Sequence, residues 1–346
     1  MPADTRAFSG CPATPLATMR KRCVDIPDSP GSKPTFIGVR PVPTTTARHR
    51  YALALTGAAA AWGVATVIAK RALTEIQPLT LLPIQLGISV ALLATVLVVR
   101  RQDLTLPAES RRLGLLGVLN PGISYALGLI GLTFIAASLS VLLWATEPIM
   151  ILVLAWWILG DRITKGVVIG ALLALAGVLL VVFEPGSQGQ PVGVALTLLG
   201  VAACAIYTVI TKKLMVTEST LLVVALQQAS ALVFAVLLLG VSALAGYNDA
   251  SLTVSAEAWL SALVSGALYY AAAFWLYLTG LRGTNAATAG LYINLIPVFG
   301  IAASYLLLSE RLSARQWLGA MLIVTTMFVV IRSQSFASSS AQTVDV

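Results

Sequence analysis

Few side chains in this chain could make or break bonds. There is one histidine, His49, and the three cysteines, Cys11, Cys23 and Cys204, are too scattered for a disulfide framework or a metal cluster. No His, Cys, Asp and Glu group has metal-ligand spacing, so neither a metal nor another cofactor is expected. A Gly-x-x-x-x-Gly-Lys-Ser/Thr loop is also missing, which excludes ATP use by the P-loop route. One acid stands apart: Glu147 falls about halfway along an apolar stretch and is followed by Pro148. An acid at bilayer depth costs roughly 2.5–3.5 kcal/mol on insertion scales, so it must face protein or a wet cavity. Proline lacks an N–H and leaves a carbonyl unpaired one turn earlier, near Trp144. Glu147 is therefore a candidate for binding a substrate amine or taking up a coupling proton. The alternative is a structural acid that tightens helix packing.

The elements that position this acid follow from composition. Of 346 residues, 58% are hydrophobic and 10% charged, where a soluble domain carries about 25% charged residues. Residues 51–332 hold only 24 charged side chains, so the chain reads as an integral membrane protein with the lipid bilayer as a partner. Most of the net charge of +8 comes from residues 1–50, which lack aromatic interleaving, and no nucleic-acid partner is expected. That segment, rich in Pro, Thr, Ser and Arg, reads as a disordered cytoplasmic tail, and residues 333–346 as a second cytoplasmic tail.

A crossing helix needs about 20 mostly apolar residues. The hydropathy pattern supplies ten such stretches: 51–69, 78–99, 113–133, 136–159, 166–183, 192–211, 219–243, 258–280, 284–308 and 316–331. Residues 113–146 carry no charge, and the turn between the third and fourth helices is expected at Thr133–Ser138. With ten helices, Lys and Arg in the connections divide 10 against 4 in favour of the side that holds both termini. The positive-inside rule places that side in the cytoplasm.

The second half repeats the first. Pro148, Asp161-Arg162-Ile163-Thr164 and Gly170 recur as Pro297, Glu310-Arg311-Leu312-Ser313 and Gly319, each 149 residues later. Gly131 and Gly280 share that offset, whereas Lys70 with Lys212 and Gln85 with Gln227 differ by 142, so an insertion near 244–257 separates two registers. The repeats span 51–184 and 192–332, five helices each. Five is odd, so the copies enter the membrane upside down to one another, and inverted repeats place a substrate site near the midplane where the halves meet. The expected fold is all-α, ten transmembrane helices in two inverted five-helix repeats.

The doubled turn and the mid-helix prolines resemble the EamA family of the drug/metabolite transporter superfamily, with Asp161 where that family more often has Glu. The resemblance implies an exporter of small metabolites, both termini cytoplasmic, and a cavity lined mainly by the first, third, fourth, sixth, eighth and ninth helices.

The polar and aromatic residues of those helices are the candidate substrate-binding set: Trp62, Tyr125, Trp144, Glu147, Tyr207, Tyr270, Phe274, Tyr292 and Asn294. Each could equally be a packed aromatic or an interhelical hydrogen bond. Asn120-Pro121-Gly122 is expected to interrupt the third helix, and Gln85 and Gln227 to pair the halves through their amides. Asp161, Arg162, Glu310 and Arg311 read as structural turn residues, with Thr164 or Ser313 capping the following helix.

The function this predicts is secondary active export of a small amino-acid-like or drug-like solute across the inner, plasma membrane by alternating access. The alternative is an importer or exchanger of a sugar, nucleotide-sugar or other metabolite. A membrane-embedded enzyme needs a constellation of acids, His or metal ligands near an interface, whereas this chain has one His in its tail and one intramembrane acid, so no enzyme is expected. A homodimer is compatible with the sequence.

Overall fold

A computed structural model describes residues 45–102, 108–159, 165–182, 190–214, 220–246, 254–281 and 292–342. Every regular element among them is helical. The first two crossings are α1 (Thr45–Ala72) and α2 (Pro78–Val99). The third starts as α3 (Ala108–Leu115), passes a 3-10 turn and a π turn at 116–123, and continues as α4 (Ser124–Phe134). The fourth is divided into α5 (Ala137–Trp144) and α6 (Glu147–Leu159), and the fifth is α7 (Lys165–Val182). In the second repeat the sixth and seventh are α8 (Pro191–Leu214) and α9 (Thr220–Leu244). The eighth joins α10 (Ala256–Gly266) to α11 (Ala273–Leu281) through a π turn at Ala267–Ala272. The ninth ends in α12 (Ile296–Leu308), and the tenth is α13 (Ala314–Gln342).

The uncharged run divides at two extended residues, Ile135 (φ −129°, ψ 160°) and Ala136 (φ −62°, ψ 149°), within the expected turn. Of the N-terminal extension, residues 1–44 lie outside the described residues, and 45–50 already belong to α1. The last helix runs on to Gln342, because 333–342 contain no Gly or Pro to stop it.

Irregularities recur at matched places in the two repeats. The π turn at 119–123, where Asn120 leaves helical geometry (φ −144°, ψ 119°), corresponds to the π turn at 267–272 under the 149-residue offset. The break at Ala145–Thr146 before Pro148 corresponds to the turn at Asn294–Leu295 before Pro297. Close helix contacts obey the same relation: a Cβ on Gly131 would stand 2.8 Å from Gly193 O on α8, and one on Gly280 would stand 3.1 Å from Tyr51 O on α1. Tyr51 and Gly193 are themselves 142 apart, so the two contacts are pseudo-symmetric copies.

Large apolar side chains such as Leu172, Leu237, Leu306 and Trp317 are exposed on the outside of the bundle, as a lipid-facing surface requires. The interior collects leucines such as Leu81, Leu86 and Leu142 together with small residues, aromatics and buried amides. Small residues are what let helices approach closely where lipid tails are as apolar as leucine.

Gly266 packs its backbone on α2. A methyl there would sit 2.8 Å from Gln85 Cα and 3.0 Å from Gln85 O, so Gly266→Ala is expected to cost about 1–3 kcal/mol and lower the unfolding midpoint in detergent. Gly87→Ala meets nothing within 4 Å and should be neutral or stabilising by up to about 1 kcal/mol. Equal midpoints for the two variants would contradict this packing.

Candidate functional site

Four rings from three crossings meet at the centre of the bundle. Tyr125 on α4 stacks on Trp144 at the end of α5, with centroids 5.3 Å apart and planes 19° apart. The edges of Tyr269 and Tyr270, both in the π turn of the eighth crossing, meet Tyr125 at 5.1 and 5.3 Å. These rings, with Thr66, Gln85 and Ser140, line a small cavity of about 20 Å³. The π turn matters here, because its extra residue per turn brings two successive tyrosines to one aromatic group. Gln228 Nε2 fixes that turn by donating to Tyr270 O at 3.0 Å.

Beside the rings lie two polar contacts, one of which links the two repeats. Ser124 Oγ donates to Asn120 Oδ1 at 2.9 Å, and Cys204 Sγ donates to Glu147 Oε1 at 3.3 Å. Asn120, Ser124 and Glu147 belong to the first repeat and Cys204 to the second. Glu147 is the first residue of α6, directly after the break that Pro148 imposes. Thr146 closes the break from below, its Oγ1 donating to Leu143 O at 2.6 Å. The acid is also within electrostatic reach of Tyr125, Tyr269 and Tyr277.

A second aromatic group surrounds Trp62. Phe274 meets it edge-on at 5.3 Å and Tyr277 lies 5.8 Å away. Tyr269 packs against this cluster as well and so touches both. Tyr207 does not join the rings; its hydroxyl donates to Gln227 Oε1 at 2.8 Å. Gln227 Nε2 donates across the repeats to Leu113 O at 3.2 Å, and Gln85 Nε2 donates the other way to Ser265 Oγ at 2.7 Å. Tyr292 is half-buried, and Asn294 is buried.

Of the turn residues, Asp161 and Arg162 lie outside the described residues. Glu310 and Arg311 are described. Left-handed Ser309 (φ 55°) ends α12 and turns the chain so that the Glu310 carboxylate reaches the start of α5. There it accepts from Ala137 N and Ser138 N, both at 2.9 Å, and from Ser138 Oγ at 2.7 Å. On the other side of the same turn, Lys70 Nζ donates to Leu132 O at 2.6 Å, Ile135 O at 2.9 Å and Thr133 O at 3.3 Å. An anion thus caps one helix N-terminus while a cation caps the preceding C-terminus, as the helix dipoles favour. Ser313 and Gln316 cap α13 reciprocally at 3.0 and 3.1 Å, and Arg311 lies over the Tyr305 ring at 5.9 Å.

The outer rim carries further charges. Arg71 pairs with Glu257, and Glu75 accepts from Ser255 N at 2.7 Å and Ser255 Oγ at 2.6 Å. Those two hydrogen bonds hold the Glu75 carboxyl below its ordinary value, so the link to Ser255 is lost only as pH falls through that lowered value.

The structure thus brings Tyr125, Trp144 and Tyr270 together, sets Glu147 beside them, and gathers Trp62 with Phe274. Sequence reasoning missed Thr66, Cys204 and Tyr277 as neighbours of the site. Thr66 and Tyr277 carried a signal, since they stand four and three residues from Trp62 and Phe274 on the same helix faces.

Two inverted helical repeats that enclose an aromatic cavity inside an apolar bundle define a multi-pass membrane transporter. Comparison with known sequences agrees, and the chain belongs to the EamA-like transporter family, whose pattern matches residues 49–183 and 191–332. It is 30% identical over 290 residues to an uncharacterized transporter, YvbV, of Bacillus subtilis (strain 168), covering 82% of this chain and 92% of that one. An uncharacterized transporter of Archaeoglobus fulgidus is 26% identical over 279 residues, 79% of this chain and 95% of its own. A solved crystal structure shares the fold, with a TM-score of 0.57 at 19% identity over 82% of this chain and 96% of that chain.

The Glu310 cap can be tested directly. Glu310→Ala leaves two N–H groups and a hydroxyl without their acceptor and is expected to cost about 1.5–3 kcal/mol. Glu310→Gln, which keeps one acceptor, should cost less. Thermal unfolding in detergent reads the order Glu > Gln > Ala; unchanged midpoints would show that the cap carries no stability.

Proposed function

We propose that the protein is a secondary active exporter that moves a small amphipathic, amino-acid-like or drug-like solute by alternating access of its two inverted halves. The observation that carries this reading is the placement of Glu147. It is an acid at a proline break, bonded to Cys204 of the opposite repeat and within electrostatic reach of Tyr125 and Tyr269, two of the rings that line the cavity. A hydrogen bond that joins the halves there couples any change in the charge of the acid to how the halves meet. In this reading the carboxylate binds a substrate amine or a proton in turn, the rings hold the apolar body, and the inward gradient of protons drives efflux. The charge bias of the connections supports cytoplasmic termini in a bacterial inner membrane.

Reconstitution tests the proposal. In proteoliposomes screened with amino acids, their analogues and cationic dyes, at least one solute should move faster when a pH gradient is imposed. Glu147→Gln should abolish that dependence and slow gradient-driven efflux by about tenfold or more, the size of a lost coupling free energy. Unchanged rate and pH dependence in the variant would refute the role of Glu147.

A further inference from the structure

The pseudo-two-fold relation makes the centre of the molecule unequal at its two poles. Glu147 of the first repeat aligns with Ile296 of the second, and Cys204 of the second aligns with Trp62 of the first. The contact between Glu147 and Cys204 therefore has a pseudo-symmetric copy, the packing of Ile296 against the Trp62 cluster. At the first pole stands an acceptor, the carboxylate. The second pole has no acid and holds donors instead.

Those donors are unpaired. Trp62 Nε1 and Asn294 Nδ2 are both buried, at 9% and 6% residue exposure, and neither has a hydrogen-bond partner among the described residues. Asn294 lies between Ile293 and Ile296, and both of these pack against the Trp62 cluster. Buried side-chain donors are nearly always satisfied in folded proteins, so two unsatisfied ones in one neighbourhood need an explanation. Water or a ligand can supply the missing acceptor. Tyr269 connects this pole to the other, since it packs on the Trp62 cluster and also meets Tyr125 edge-on at 5.1 Å.

From this we infer that Trp62 and Asn294 form a subsite for a hydrogen-bond acceptor oxygen of the substrate, a carboxylate or carbonyl, at the pole opposite Glu147. The inference rests on the proposed transport role of the cavity and adds to it a rule of selection. A solute with an amine at one end, an apolar body and an oxygen acceptor at the other satisfies both poles. A plain amine satisfies one. A phosphate is disfavoured, because the donors are neutral and are set among Phe274, Tyr277 and Ile296.

Three probes with the same ring separate these cases: phenethylamine, L-phenylalaninamide and L-phenylalanine, their dissociation constants read from ligand-dependent thermal shifts of the purified full-length protein. The wild type should bind the two acceptor-bearing probes about tenfold more tightly than phenethylamine, the ratio that two net hydrogen bonds supply. Trp62→Phe and Asn294→Leu should each reduce that ratio by about threefold. Asn294→Ser serves if the leucine variant does not fold. Asn294→Asp, which sets a carboxylate against the ligand, should weaken L-phenylalanine more than L-phenylalaninamide. Glu147→Gln should weaken all three. If phenethylamine binds in a Glu147-dependent way but the acceptor-bearing probes gain nothing, or the variants weaken all three equally, the subsite is refuted and the role of Glu147 stands. If none of the three shifts the wild type, the subsite is refuted together with the cavity as a solute site.

Discussion

A hydrocarbon bilayer offers no partner to an N–H or C=O, so every interruption of a crossing helix has to be satisfied by the protein itself. This chain interrupts its helices repeatedly, and side chains that reach across the molecule close the gaps. The turn after α4 is held by Lys70 from α1 and Glu310 from the second repeat. Leu113 O receives Gln227, Gly114 O receives Ser230 Oγ at 2.5 Å, and Tyr270 O receives Gln228. Because the donors and acceptors mostly sit on opposite repeats, the bonds that make broken helices tolerable also bind the halves together.

That arrangement accounts for the kinds of residue found inside. Buried glutamines and serines are polar enough to satisfy a carbonyl, the glutamines by their length and the serines at close approach, and glycines bring the backbones within their reach. Gly117 and Gly266, 149 residues apart, stand against Gln227 and Gln85, the two amides that cross between repeats. Interrupted helices are then free to hold unusual side chains at depth. The π turn presents Tyr269 and Tyr270 together, and the proline break sets Glu147 at the head of α6, where it faces Cys204.

Symmetry supplies the scaffold and departures from it supply the chemistry. Matched π turns, proline breaks and glycine contacts show how closely the repeats follow one another. Asn120-Pro121 of the first repeat corresponds to Tyr269-Tyr270 of the second, Glu147 to Ile296 and Cys204 to Trp62. Each of these substitutions changes polarity, and each falls in the central layer.

Much of this was legible in the chain alone. Apolar lengths fixed the crossings, the offsets of 149 and 142 revealed the repeat, and Pro148 and Asn120-Pro121-Gly122 announced the breaks. Each of those is local, because a helix responds to its own residues and to the solvent around it. The tertiary structure alone decided the partners. Cys204 in isolation is an unremarked cysteine, Lys70 reads as a charge in a connection, and Glu310 reads as part of a surface turn. Their roles depend on contacts 57, 65 and 173 residues away in the chain. Such contacts are set by how helices stack where lipid offers polar groups no partner of its own.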